Sequence, residues 1–232
     1  MSTIVEINSL YKSYGSFMVL NNLSLKFETN KIIGLLGPNG CGKTTLMKIL
    51  CGLITDYYGD VRIDGQAPGP YTKSIVSYLP EKTYLSDWMR VSDAFDIFSD
   101  FYSDFDRAKA CELLQRFHLN EHMKLKAMSK GMQEKVHLIL AMSRSAKLYV
   151  LDEPLSGVDP ASRSVILETI ISNYNKDSTV LISTHLIYDV EQYFDDIVMM
   201  GFGQLIMAGN VDQIRQDTGK SIDEIFREVF RC

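Results

Sequence analysis

No stretch of this 232-residue chain is apolar for long enough to cross a bilayer, which takes roughly 18 residues or more. The run at 136–142 is soon followed by Arg144 and Lys147. The start, MSTIVEINSL, lacks the basic opening and apolar centre of a secretory signal. Any membrane contact is therefore expected to run through a partner. Cysteine is scarce too: Cys41, Cys51, Cys111 and Cys232 form no C-x-x-C pair and no metal-type spacing, which suits a reducing cytoplasm. Positive charge is in deficit, with 24 Lys and Arg against 29 Asp and Glu. That argues against a broad nucleic-acid surface, and no nucleic-acid partner is expected. Internal repeats and low-complexity linkers are absent. What remains, at 46% hydrophobic and 23% charged residues, is the composition of a globular α/β chain.

The chain is organised around residues 31–53, which read as a short apolar strand, a glycine loop and an amphipathic helix. The loop, Gly37, Pro38, Asn39, Gly40, Cys41, Gly42, Lys43 and Thr44, fits G-x-x-x-x-G-K-[ST], the phosphate-binding loop. Glycine is needed because successive N–H groups must turn inward around a polyphosphate, with positive φ and no Cβ in the way. Lys43 supplies a point charge for the β and γ phosphates. Thr44 supplies a hydroxyl for Mg2+, and the helix that follows points its positive end at the anion. Cys41, in the loop at a helix start, is expected to have a depressed thiol pKa, so that its alkylation blocks nucleotide binding and ATP protects it.

Around this unit, residues 3–7, 19–27 and 60–64 read as strands of a small antiparallel sheet, with a turn at 14–16. Residues 65–71 form a surface turn, and 74–79 a core strand ending at Pro80-Glu81. From Tyr84 to Phe105 aromatics and aspartates alternate at helical spacings. They imply either a packed core or a partly exposed groove for another protein's helix. Helix is expected to continue over 111–119 and again over 128–146. Beyond these come strands 148–152, 179–183, 197–200 and 204–207, and helices 160–174, 187–193 and 221–230. The expected fold is α/β, a P-loop NTPase (RecA-like) core over 1–81 and 143–232 with a flanking antiparallel sheet. A helical block is inserted at 82–142.

A strand that ends in Asp152-Glu153 supplies the second half of a nucleotide triphosphatase. Successive residues face opposite ways, so Asp152 is free to hold Mg2+ through water while Glu153 serves as general base. With these motifs in order, the chain resembles the nucleotide-binding subunit of ATP-binding cassette (ABC) transporters, of the bacterial export type, over nearly its whole length. Residues 37–45, ending in Thr45, look like the Walker A motif and 148–152 like Walker B. Ser129, Lys130, Gly131, Met132 and Gln133 stand where the L-S-G-G-Q signature belongs, with Lys130 in place of its first glycine and Met128 in place of its leucine. Ser156 to Asp159 is similar to the D-loop, and Thr184-His185 to the switch histidine. Tyr14, with Tyr11 as its rival, takes the place of the aromatic that stacks on adenine.

The resemblance implies ATP and Mg2+ as cofactors and a dimer with an identical or paralogous cassette. There, Ser129, Gly131 and Gln133 of one copy would close on the ATP of the other. It implies a transmembrane permease as partner, at the cytoplasmic face of the membrane. Glu81 replaces the family's usual glutamine and would place another carboxylate near Mg2+. Two other classes compete: a soluble ABC ATPase acting as an assembly factor, and a P-loop kinase.

Overall fold

The computed structural model describes residues 2–175 and 177–230. Two sheets and a helical layer share two apolar cores. The antiparallel sheet is β1 (Thr3–Tyr14), β2 (Phe17–Glu28) and β4 (Tyr58–Ile63), in the order β2-β1-β4. Its strands run longer than the sequence pattern implies, because register shifts between Ile7 and Lys12 break the alternation. Ser9 and Asn22, at φ 49° and 53°, mark kinks in the ladder.

The main sheet is β3 (Ile32–Leu36), β5 (Val76–Leu79), β6 (Leu148–Asp152), β7 (Thr179–Thr184), β8 (Asp196–Gly201) and β9 (Gln204–Asn210). Its order is β5-β6-β7-β3-β8-β9, parallel except for the β8–β9 hairpin. β3, β6 and β7 are buried along their whole length, as strands covered on both faces must be. One face packs with α1 (Lys43–Leu50) against the antiparallel sheet; the other packs against the helices.

Several expected elements differ. Residues 74 and 75 end a short helix, α2 (Pro70–Ile75), begun by a proline at its first turn, so β5 starts only at Val76. The helical block is broken into α3 (Val91–Phe101), α4 (Arg107–Arg116) and α5 (Lys130–Met142). Asp106 starts α4 afresh by accepting the Lys109 N–H. On α5, every residue from Val136 to Met142 is buried, not one face alone, because the helix lies between the sheet and the other helices. After α6 (Pro160–Asn173) and α7 (Ile187–Val190), the helix α8 (Val211–Thr218) has no counterpart in the expected elements; α9 (Ile222–Phe230) does. Cys232 lies outside the described residues.

Candidate active site

Adjacent parallel strands deliver the site from their carboxyl ends, where an open α/β sheet forms its crevice. After β3 the loop turns through Gly40 and Gly42, at φ 80° and 106°. A Cβ on Gly37 would strike the Met200 carbonyl and the Cys41 sulfur. Lys43, the first residue of α1, is 6% exposed. Its Nζ donates to the carbonyls of Gly37 (2.7 Å) and Pro38 (3.3 Å), which fix the ammonium in the loop.

Ser183 on β7 pairs with Asp152 at the end of β6. Its hydroxyl donates to Asp152 Oδ1 at 2.7 Å and accepts the Glu153 N–H at 2.9 Å, so one side chain fixes both acids. Thr44 Oγ1 donates to the same Oδ1 at 3.2 Å. Asp152 Oδ2 is buried without a partner. Burial pushes the Asp152 carboxyl up, partly offset by the Ser183 and Thr44 hydroxyls. An orphaned carboxylate oxygen beside a threonine hydroxyl is the hard-oxygen donor set that suits Mg2+. Among the described residues no group of three or more His, Cys, Asp or Glu is arranged to hold a metal. Phosphate and water oxygens would have to complete the shell.

Glu153 leaves the strand at φ 50°. Its side chain is 10% exposed, with Oε1 3.9 Å from Lys43 Nζ and Oε2 2.9 Å from His185 Nδ1. A cleft of about 540 Å3 brings together Tyr14, Asn39, Gly40, Gly42, Lys43, Thr44, Thr45, Glu81, Glu153 and His185. Tyr14, not Tyr11, reaches it: Tyr11 pairs with Tyr58 in the sheet. Lys12, itself buried and bonded to Asp56, lies 4.6 Å from the Tyr14 ring centroid and holds that ring at the mouth. Phe17 and Val19 line the same end and were not foreseen, although Phe17 is the cross-strand partner of Tyr14. Ser129, Gly131 and Gln133 do not line the cleft.

A family model described as ABC transporter matches residues 20–156, more than half of the chain. The chain belongs to this family. The uncharacterized ABC transporter ATP-binding protein YxlF of Bacillus subtilis is 31% identical, over 92% of this chain and 73% of its own. The lipopolysaccharide export system ATP-binding protein LptB of Haemophilus influenzae is 31% identical, over 93% of this chain and 94% of its own. A solved structure of an ATP-binding subunit of an ABC transporter superposes with a TM-score of 0.87 at 28% identity, covering 98% of this chain and all of that one. The chain is thus an ATP-binding, ATP-hydrolysing member of the ABC transporter family.

In this ABC cassette the segment expected to be the signature, from Ser129, opens α5. Ser129 caps the helix by accepting the Met132 N–H. Gln133 spends its amide on the Leu125 carbonyl (2.9 Å), which fastens the preceding turn. The Lys130 side chain is 80% exposed and lies 3.6 Å from Glu134.

The expectation for Cys41 is overturned. The thiol is buried, and that burial raises its pKa despite the nearby Lys43 charge; the helix-start argument loses to desolvation. Iodoacetamide is therefore expected to label Cys41 slowly and at the same rate with or without nucleotide. A fast, ATP-protected reaction would contradict this.

A second cleft, of about 940 Å3, runs from Thr44 and Asp152 past Glu81 to Tyr84, Ile97 and Phe101. The aromatics of the helical block divide between the two expected roles. Phe95 and Phe98 are core, whereas Phe101 (79% exposed) and Trp88 (71%) are not.

His137 on α5, absent from the sequence reading, is buried. Burial pushes its pKa down to about 4 from 6.5. Between those values the unfolded chain binds a proton that the folded chain refuses, so stability is complete above pH 6.5 and falls as pH drops toward 4. The loss amounts to up to about 3 kcal/mol. Urea midpoints measured across that window are expected to fall more steeply for the wild type than for His137→Asn. Parallel curves would refute the assignment.

Proposed function

We propose that this cassette hydrolyses Mg-ATP at a composite site shared by two copies and drives a transmembrane permease seated in the 940 Å3 cleft. The observation that carries it is the convergence of Lys43, Glu153 and His185 on one cleft, while the Ser129 cap lies outside that cleft. This Ser-capped helix start does not line the chain's own phosphate cleft, and in our reading it serves a second subunit's nucleotide.

Within the site Lys43 holds the β and γ phosphates, and Tyr14 and Phe17 receive the base. Thr44 and Asp152 would hold Mg2+, which would supply charge neutralisation at the phosphate oxygens. Glu153 accepts the proton of the attacking water, and His185, bonded to Glu153 through Nδ1, orients that carboxylate and presents its other nitrogen to the γ-phosphate. The permease assignment rests on the exposed Phe101 and Ile97 beside Lys48, Lys73 and Lys82, a wall suited to an amphipathic helix with acidic residues. No helix among the described residues is long and apolar enough to cross a membrane. We infer that the subunit is peripheral, at the cytoplasmic face.

Complementation tests the shared site. Lys43→Met and Ser129→Arg are each expected to be inactive alone, since each breaks both sites of its homodimer. Mixed before assembly, they form heterodimers with one intact site, and activity of roughly a quarter of wild type returns if pairing is random and the two sites are independent. A mixture as silent as its components would sink the composite site.

A further inference from the structure

Among the described residues Glu81 alone lines all three clefts: the phosphate cleft, the 940 Å3 cleft, and a third chamber of about 420 Å3 between α5 and the ends of β5 and β6. It stands on an irregular segment, 80–84, that follows the edge strand β5. The only side-chain hydrogen bond that this segment makes among the described residues joins Thr83 Oγ1 to His137 Nε2, at 2.7 Å. The next residue, Tyr84, lays its ring edge-on to the same imidazole, with centroids 4.6 Å apart. His137 is 4% exposed, and its Nδ1 is buried without a partner. A ring with one satisfied nitrogen and one orphaned nitrogen is costly to bury, so its presence calls for a role beyond filling space.

We propose that His137 is a positioning residue for Glu81: it tethers segment 80–84 to α5 through Thr83 and Tyr84, and so fixes where the Glu81 carboxylate stands relative to Asp152 and Thr44. Glu81 and Asp152 line the 940 Å3 cleft and the 420 Å3 chamber together, and Glu81 shares the phosphate cleft with Thr44. The inference rests on the reading of Thr44 and Asp152 as the protein ligands of the cation. Through the tether, an occupant that displaces Tyr84 in the 940 Å3 cleft would be felt both at the cation and along α5, whose first turn carries Ser129 and Lys130.

Mn2+ serves as the probe, its binding to the whole chain with ATP followed by electron paramagnetic resonance. Thr83→Val and His137→Ala are each expected to weaken Mn2+ by on the order of tenfold, as loss of an orienting partner does at metal sites. The double variant should be no weaker than the poorer single one. In a Glu81→Ala background, itself weakened, His137→Ala should add nothing. His137→Gln, whose amide reaches the same hydroxyl, should recover most of the affinity. ATP binding in excess chelator should stay unchanged in Thr83→Val and His137→Ala. Mn2+ affinity within twofold of wild type in both Thr83→Val and His137→Ala would overturn the proposal, whatever happens to the melting temperature. So would an undiminished effect of His137→Ala on top of Glu81→Ala. The underlying cation assignment is tested apart: if Thr44→Ala and Asp152→Asn leave Mn2+ binding intact, that assignment fails first.

Discussion

Glu153→Gln is expected to slow ATP hydrolysis by about 10²–10⁴-fold, the usual worth of a positioned general base, while ATP binds at least as tightly. Glutamine keeps the volume and the hydrogen bond to His185 but has no carboxylate to take the proton of water. The Glu153 side chain is mostly buried and lies between Lys43 and His185, so no bulk carboxylate substitutes for it. Removing its negative charge also removes repulsion against the γ-phosphate. Nucleotide affinity, read with a fluorescent ATP analogue, should hold or improve, and phosphate release under saturating Mg-ATP should nearly stop. Lys43→Ala is the contrasting case, since it removes the cation that both nucleotide states need and should lose affinity along with turnover. Turnover of Glu153→Gln within tenfold of wild type would remove Glu153 from the chemistry. The backbone adds a further expectation. At φ 50° a glutamate is held in the left-handed region, at a cost of about 1–3 kcal/mol, so Glu153→Gly should fold at least as stably while being just as inactive. That pair of results would show that Glu153 is kept in a strained conformation for its task.

The parts of this site legible in the sequence are those written in contiguous residues. The glycine loop, the apolar strand before it and the Asp152-Glu153 pair announce a phosphate site without any knowledge of the fold, because their chemistry depends on local backbone shape. What the sequence left unread depends on partners far along the chain. Ser183 fixes both acids from 31 and 30 residues away, and Thr83 meets His137 across 54. No local period marks either pair. Cys41 shows the opposite failure, in which a valid local argument was outweighed by burial that only the fold creates. The element errors have the same source. The Asp106 cap that separates α3 from α4 lies in a run of aspartates, any of which could cap a helix, and only the chain's return to Ser143, whose carbonyl accepts the Asp106 N–H, settles which does. The cleft that joins Thr44 and Asp152 to the exposed Phe101 likewise became visible only when β5 was placed at the sheet edge beside β6.

Arg144→Ala is expected to be the most destabilising single substitution outside the apolar core. The Arg144 side chain is 2% exposed and binds Asp104 through two parallel bonds, Nε to Oδ1 at 2.9 Å and Nη2 to Oδ2 at 3.1 Å. It also donates to the carbonyls of Val76 (2.8 Å) and Ser74 (2.6 Å), and its guanidinium lies 3.8 Å from the Tyr102 ring centroid. These partners belong to different layers: Ser74 and Val76 lead into the sheet at β5, while Tyr102 and Asp104 join α3 to α4. One planar cation therefore rivets the helical block to the edge of the sheet, beside the cleft proposed to receive the permease. Truncation strands the Asp104 carboxylate and two carbonyls at once, a loss of about 3–5 kcal/mol for a broken buried pair. At this chain length that corresponds to a fall in Tm of on the order of 10 °C. Arg144→Lys should recover only part of it, because an ammonium cannot reproduce the two-pronged grip or stack on Tyr102. The decisive comparison is a double-mutant cycle by thermal or urea melting. Asp104→Ala should cost much less in the Arg144→Ala background than alone, since the charge it removes is then already unpaired. Equal costs in both backgrounds would mean that the two side chains do not act as a pair, and that the helical block is held to the sheet by its apolar contacts alone.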